Sequence, residues 1–329
     1  MLLVDALNFK SLTRSVRFVA TAAIDSKVYS KVLFGLGSAF LLASCTEPSQ
    51  EIITRVDSAP GYTRIDERDP NDPLNASIYE LDNGLRVYLT ENHEEPRFYA
   101  EIAVRAGSKH DPADATGLAH YLEHLLFKGN QHLGTLDYEA EKPHLDRITA
   151  LYEEHFNTTD EARRAEIYAE INTEAQAAAQ FAVPNEIDKL YNAMGGSGLN
   201  AHTSNEETVY KIGLPANRLK QWAEVESDRF VNPVFRIFHT ELETVYEEKN
   251  RSLDNRGFIL YTALNELMFK QHPYGQQPTI GTVEHLKNPS LVYIQNYFDT
   301  YYVPNNMGIF ISGDIDTQEI GRASCRERV

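Results

Sequence analysis

The run Gly117-Leu-Ala-His-Tyr-Leu-Glu-His-Leu-Leu-Phe127 constrains this chain more than any other stretch. It writes His120, Glu123 and His124 as H-x-x-E-H on a segment with the pattern of a helix. At helical pitch, positions i, i+3 and i+4 share one face, so the three side chains point the same way. Two imidazoles one turn apart can grip one Zn²⁺, and the carboxylate between them can reach a water on that metal. The plainer alternative is a pair of partly exposed histidines on an amphipathic helix. The weight therefore falls on what surrounds the motif.

Charge narrows the partners. The chain carries a formal −17, yet residues 1–44 hold Lys10, Arg14, Arg17, Lys27 and Lys31 against Asp5 and Asp25, a net of +3 that leaves −20 for the rest. Such a body repels phosphate backbones, so no nucleic-acid partner is expected. Behind Lys27 and Lys31 comes an apolar run, from Val32 to Ala43, too short to span a bilayer. It closes on Leu42-Ala43-Ser44-Cys45, which resembles a bacterial lipobox. That resemblance implies a leader over 1–45, lipidation at Cys45 and a membrane tether. With Thr46 next, it implies an outer-membrane lipoprotein facing the periplasm. An ordinary secretory signal is the alternative. Residues 46–76 read as a flexible tether rich in Pro, Ser, Thr and charge. Residues 319–329 lack periodicity and read as a non-native tail on a truncated frame, which would deprive Cys325 of a role. With Cys45 lipidated, no structural disulfide is expected.

Between these ends, 77–318 reads as one folded unit. Residues 78–81 and 85–89 alternate around Asp82-Asn83-Gly84 and predict a hairpin. Residues 98–106 predict a third strand, and 115–128 the helix that carries the motif. A long helical stretch follows, 138–156 and 160–181, broken at Asn157-Thr158-Thr159-Asp160 with a good N-cap, then a shorter helix over 184–194. This stretch reads as a charged, solvated hairpin without chemistry. Two short strands are expected within 199–214. Helices are expected at 216–229, 240–250, 259–269 and 290–302, and a last strand at 307–313. Strands grouped with helices rather than alternating strictly argue for an α+β fold with a mostly antiparallel sheet.

A catalytic zinc site needs a third protein ligand and one position left for water. The candidates lie on His239-Thr-Glu-Leu-Glu-Thr-Val-Tyr-Glu-Glu-Lys-Asn250, where Glu241 and Glu248 are two turns apart on one face. Glu248 is the expected ligand. Glu241 is placed with Glu123 in the catalytic machinery, as a carboxylate orienting a ligating histidine. On spacing alone, a solvated acidic face remains the alternative.

Together these residues resemble the pitrilysin/insulinase family of zinc metallopeptidases, the inverzincins. Arg105-Ala-Gly-Ser108 ahead of Gly117–Gly129 is similar to the family's strand-to-helix block. Asn200-Ala201-x-Thr203 with Thr208-x-Tyr210 resembles its substrate-edge strand. Glu241 through Glu248 fits its E-x₆-E, and His272-Pro-Tyr274, Gly281, Tyr302-x-Pro304-Asn305-Asn306 and Gly313-Asp314 follow in its order. The resemblance implies helices packed on one face of the sheet and His120, His124 and Glu248 as zinc ligands. It further implies that Glu123 is the general base, and that extended peptides bind along an edge lined by Asn200 and Ala201. Between His124 and Glu248 lie 123 residues, more than in compact members, an excess the helical insertion at 138–194 would explain. The family also implies further C-terminal domains, or a homologous subunit, completing the site.

The leading expectation is therefore a zinc endopeptidase of the bacterial envelope acting on unfolded or short peptides. A non-catalytic scaffold or binding subunit is the rival, opposed by the presence of Glu123. A solute-binding lipoprotein would account for Cys45 but not for the metal constellation.

Overall fold

The computed structural model describes residues 58–59, 61–66 and 72–317. The expected leader, the lipidation site Cys45, the tail at 319–329 and Cys325 lie outside the described residues. Among the described residues eight strands form one sheet: β1 (Ser58–Ala59), β2 (Tyr62–Arg64), β3 (Ser77–Leu81), β4 (Arg86–Glu91), β5 (Arg97–Val104), β6 (Ser197–Thr203), β7 (Thr208–Pro215) and β8 (Met307–Gly313). Their spatial order is β1-β2-β3-β4-β8-β5-β7-β6. Every neighbouring pair is antiparallel except β4 with β8, which run parallel from Arg86↔Gly308 to Glu91↔Gly313. The α+β class and the mostly antiparallel sheet are as the sequence suggests.

One expectation needs correction. The segment 46–76 is not tether throughout, because β1 and β2 add to the sheet inside it. Tyr62 opposes Leu81 and meets the Tyr79 ring edge-on at 5.7 Å, and this burial supplies order that three residues of alternation cannot advertise.

The helices are α1 (Leu118–Leu125), α2 (Tyr138–Asn157), α3 (Glu161–Ala178), α4 (Glu186–Ala193), α5 (Leu219–Val231), α6 (Phe238–Leu253), α7 (Arg256–Met268) and α8 (Leu291–Tyr301), with single turns at Pro273–Gln276 and Val283–Leu286. Strict alternation sorts the sheet's faces. In β5, Phe98, Ala100, Ile102 and Val104 are buried while Tyr99 is exposed, and in β8 Met307, Ile309 and Ile311 are buried while Phe310 is exposed. The buried face meets the helices: Trp222 of α5 packs edge-on against Phe98 at 6.1 Å, and α1 contacts β6, β7, α6 and α8. On the other face Tyr88 and Phe310 stack at 4.5 Å.

Helices α2 and α3 pack on each other as a hairpin. Their N-caps, Asp137 and Asp160, accept from Ala140 N–H and Arg163 N–H at 3.1 and 2.8 Å.

The candidate metal centre

Helix α1 starts at Leu118 rather than 115, and its start is unusual. Gly117 sits at φ +87° and a Cβ there would come within 2.7 Å of the Gly281 Cα, so a glycine is required. No neighbouring side chain caps the helix. Asp111, six residues upstream and buried, does so instead, accepting from Gly117 N–H at 2.8 Å and Ala119 N–H at 2.9 Å. Burial pushes the Asp111 carboxyl up to about 7 against the pull of these bonds. The usual N-cap position and spacing do not mark it, so the sequence reading missed it.

The helix then presents its motif as expected. The His120 and His124 rings stand edge to face, centroids 4.9 Å apart. Across from them α6 brings Glu248, whose Oε2 lies 3.6 Å from Nε2 of both His120 and His124. A tetrahedral ion with bonds of roughly 2.0–2.2 Å has its donors roughly 3.3–3.6 Å apart. Both separations from Glu248 match that spacing, and the donor types are those of a zinc site with one position to spare. Among the described residues this is the group of His, Cys, Asp and Glu able to hold a metal ion, its ligand atoms all within 4.8 Å of one another.

The surroundings differentiate the two histidines. His124 Nδ1 lies 3.4 Å from Glu241 Oε2, and Lys128 Nζ holds Oε1 of that carboxylate at 2.7 Å. This is where an orienting carboxylate is expected. Burial favours the neutral form of Glu241, but His124 and Lys128 outweigh it and lower its pKa. Burial likewise opposes charge on His124, yet Glu241, Glu248 and Glu123 together raise it. The same three carboxylates favour a cation at this point, a divalent metal included. His120 has no such partner among the described residues: its Nδ1 is buried without a hydrogen bond, and burial, then His124, pushes its pKa down to about 4, leaving it a neutral donor.

Glu123 is buried, and burial raises its pKa. Thr203 Oγ1 donates to its Oε2 at 2.6 Å from β6, a contact the sequence reading did not assign. Strand β6 is an edge of the sheet, with β7 on one side and no strand on the other among the described residues. Ala201, His202 and Thr203 line a cleft of about 360 Å³ together with His120, Glu123, Glu248, Phe258, Tyr261 and Tyr274. Asn200 lies exposed on the same strand, paired to Lys211, and is not part of the cleft wall. A larger cavity of about 490 Å³, between α2, α3, α8 and the start of α6, contains none of the donors.

Comparison with known proteins points to zinc proteases. A model of the family described as Insulinase (Peptidase family M16) matches residues 86–144, which include β4, β5 and α1. The uncharacterized zinc protease YmxG of Bacillus subtilis is 24% identical over 72% of this chain and 46% of its own length. The probable zinc protease PqqL of Haemophilus influenzae is 25% identical over 76% of this chain and 23% of its own. In structure, pitrilysin is similar with a TM-score of 0.58 and 19% identity over 81% of this chain and 24% of that one. The first half of the periplasmic protease PqqL from Escherichia coli is similar with a TM-score of 0.56 and 20% identity over 77% of this chain and 45% of that one. The chain spans about half or less of the length of these relatives. With an H-x-x-E-H helix, a glutamate from a second helix beside it and relatives named as zinc proteases, this chain is similar to the insulinase family of peptidases, M16, over the segment that carries the motif.

Proposed function

We propose that the chain carries the catalytic centre of a zinc-dependent endopeptidase that hydrolyses unfolded or short peptides. The observation that carries this reading is the convergence of His120, His124 and Glu248, with Glu123 beside them and free of ligand duty. Zinc held there would supply a Lewis acid and a water of lowered pKa. Glu123 takes the proton of the attacking water and returns it to the leaving amine, in the manner of a general base turned general acid. Its raised pKa suits both halves of that exchange, and the Thr203 hydroxyl, bonded to one carboxylate oxygen, holds its orientation while leaving the other for the proton. Glu241 fixes the His124 ring through Nδ1. The free edge of β6 offers backbone groups to an extended peptide, with Ala201 beside the donors and Asn200 further along the strand.

The chain spans about half or less of the length of the relatives it matches, and further domains or a homologous subunit are proposed as partners. An envelope location with a lipid anchor at Cys45 is likewise proposed, in keeping with a relative described as periplasmic. Incubation with a quenched peptide, with and without a chelator, tests the activity. Chelator-sensitive cleavage is expected. Stoichiometric zinc without cleavage would instead favour a non-catalytic binding subunit.

A further inference from the structure

We propose that Arg236 is a positioning residue for the metal centre, setting the helix that carries Glu241 and Glu248 against the helix that carries His120 and His124. The inference rests on the metal-site reading above and extends it to a residue outside the cleft. Arg236 is 1% exposed, and it immediately precedes the N-cap of α6, Ile237, held in the left-handed region at φ +45°.

All five guanidinium N–H groups are used. Nε donates to Glu141 Oε1 at 3.0 Å and Nη2 to Glu141 Oε2 at 3.1 Å, a fork-to-fork pair with α2. Nη2 also donates to the Asn130 carbonyl at 2.8 Å, and Nη1 to the carbonyls of Lys128 and Leu133, each at 2.9 Å. The loop leaving α1 thus wraps the guanidinium. Gly129 and Gly134 make the wrap possible, since a Cβ on either would lie 2.8 Å from Nη1. The residue whose carbonyl Arg236 holds is the same Lys128 whose ammonium grips Glu241, and Glu241 faces His124. A second tie runs parallel: the Tyr121 hydroxyl on α1 donates to the Phe238 carbonyl at the start of α6.

The chain of contacts therefore runs from Glu141 through Arg236 and Lys128 to Glu241 and His124. It links the helical hairpin, which reads in sequence as having no chemistry, to the donor set. Lysine cannot replace this fork, because three mobile donors on a point charge cannot serve four acceptor groups held in a plane.

The test uses the purified 329-residue chain. Zinc affinity is measured by competition with a chromophoric chelator, the visible spectrum is recorded with cobalt(II) at saturation, and folding of the metal-free form is followed by circular dichroism. Arg236→Lys is expected to fold and to weaken zinc about 10–100-fold, the range for a contact behind a metal ligand, with an altered cobalt spectrum. A purely structural role would lower the melting temperature and leave the saturated cobalt spectrum unchanged. Wild-type affinity and spectrum in folded Arg236→Lys would overturn the proposal. Should that variant fail to fold, Lys128→Met decides: it severs only the last link, and an unchanged zinc affinity and cobalt spectrum would equally overturn it. Absence of stoichiometric zinc in the wild-type chain would instead sink the metal-site reading and this inference with it.

Discussion

Helices α6 and α7 follow each other in the chain and flank the same cleft, yet they invert the usual relation between polarity and burial. Helix α6 (Phe238–Leu253) is rich in charge, but Glu241, Lys249 and Val245 are all buried. Helix α7 (Arg256–Met268) is rich in Ile, Leu, Tyr and Met and has no buried residue, with Leu260 71%, Leu267 69% and Met268 64% exposed. What separates them is partners. The buried Glu241 of α6 meets His124 and Lys128, whereas α7 rests on α6 and on the turn at Pro273–Gln276. Lys249 reaches across to α7, its Nζ 5.8 Å from the Phe258 ring centroid. Burial at this site follows from what a side chain is paired with, and apolar character alone does not secure it.

The largest effect expected concerns the chemistry assigned to α1 and α6. Glu123→Gln should retain zinc and lose about 10²–10⁴-fold in peptide turnover, the usual contribution of a positioned proton carrier. Undiminished turnover would move the chemistry elsewhere on the cleft. Next in size is a direct contrast between the two helices by urea unfolding. Leu242→Ala in α6 should cost about 2–5 kcal/mol, and Leu260→Ala in α7 should stay within about 0.5 kcal/mol. Equal costs would show α7 to be covered in solution. Thr203→Val removes the donor to Glu123. A hydrogen bond to a charged group contributes about 1.5–3 kcal/mol, so kcat/KM should fall about ten- to a hundredfold, with zinc content unchanged. A wild-type kcat/KM would leave Thr203 without a role in turnover.

A further effect, on stability rather than turnover, tests the cap beneath α1. Asp111 is held at about 7 in the folded chain, above its ordinary 3.8, so the folded state keeps a proton that the unfolded state has released. Its contribution to stability is fully present below about pH 4 and is lost as the pH rises through about 7. Asp111→Asn should remove that slope from a comparison of unfolding free energies at pH 4.5 and 7.5. An identical slope in both proteins would mean that the bonds from Gly117 and Ala119 dominate burial.

The legible parts of this molecule are those encoded by spacing within one element. H-x-x-E-H on α1, the two-turn separation of Glu241 and Glu248 on α6 and the strict alternation of β5 and β8 each lie within a short run, so periodicity exposes them. Parts built from residues distant in sequence were not legible. The parallel pairing of β4 with β8 joins segments more than 200 residues apart, and nothing in either strand announces its partner. Asp111 caps from outside the usual window, Thr203 reaches Glu123 from an edge strand, and Arg236 gathers carbonyls from a loop a hundred residues earlier. The hairpin of α2 and α3 read as solvated, and most of it is, but Glu141 is fully buried on Arg236. A single buried ion pair leaves no trace in a pattern dominated by surface charge.

The most direct test of the account is zinc stoichiometry, measured by mass spectrometry on the purified chain, in Glu123→Gln and Glu248→Gln side by side. Glu123→Gln is expected to keep one zinc per chain and Glu248→Gln to lose it. Zinc retained in Glu248→Gln, or lost in Glu123→Gln, would contradict the division of these two carboxylates into ligand and proton carrier.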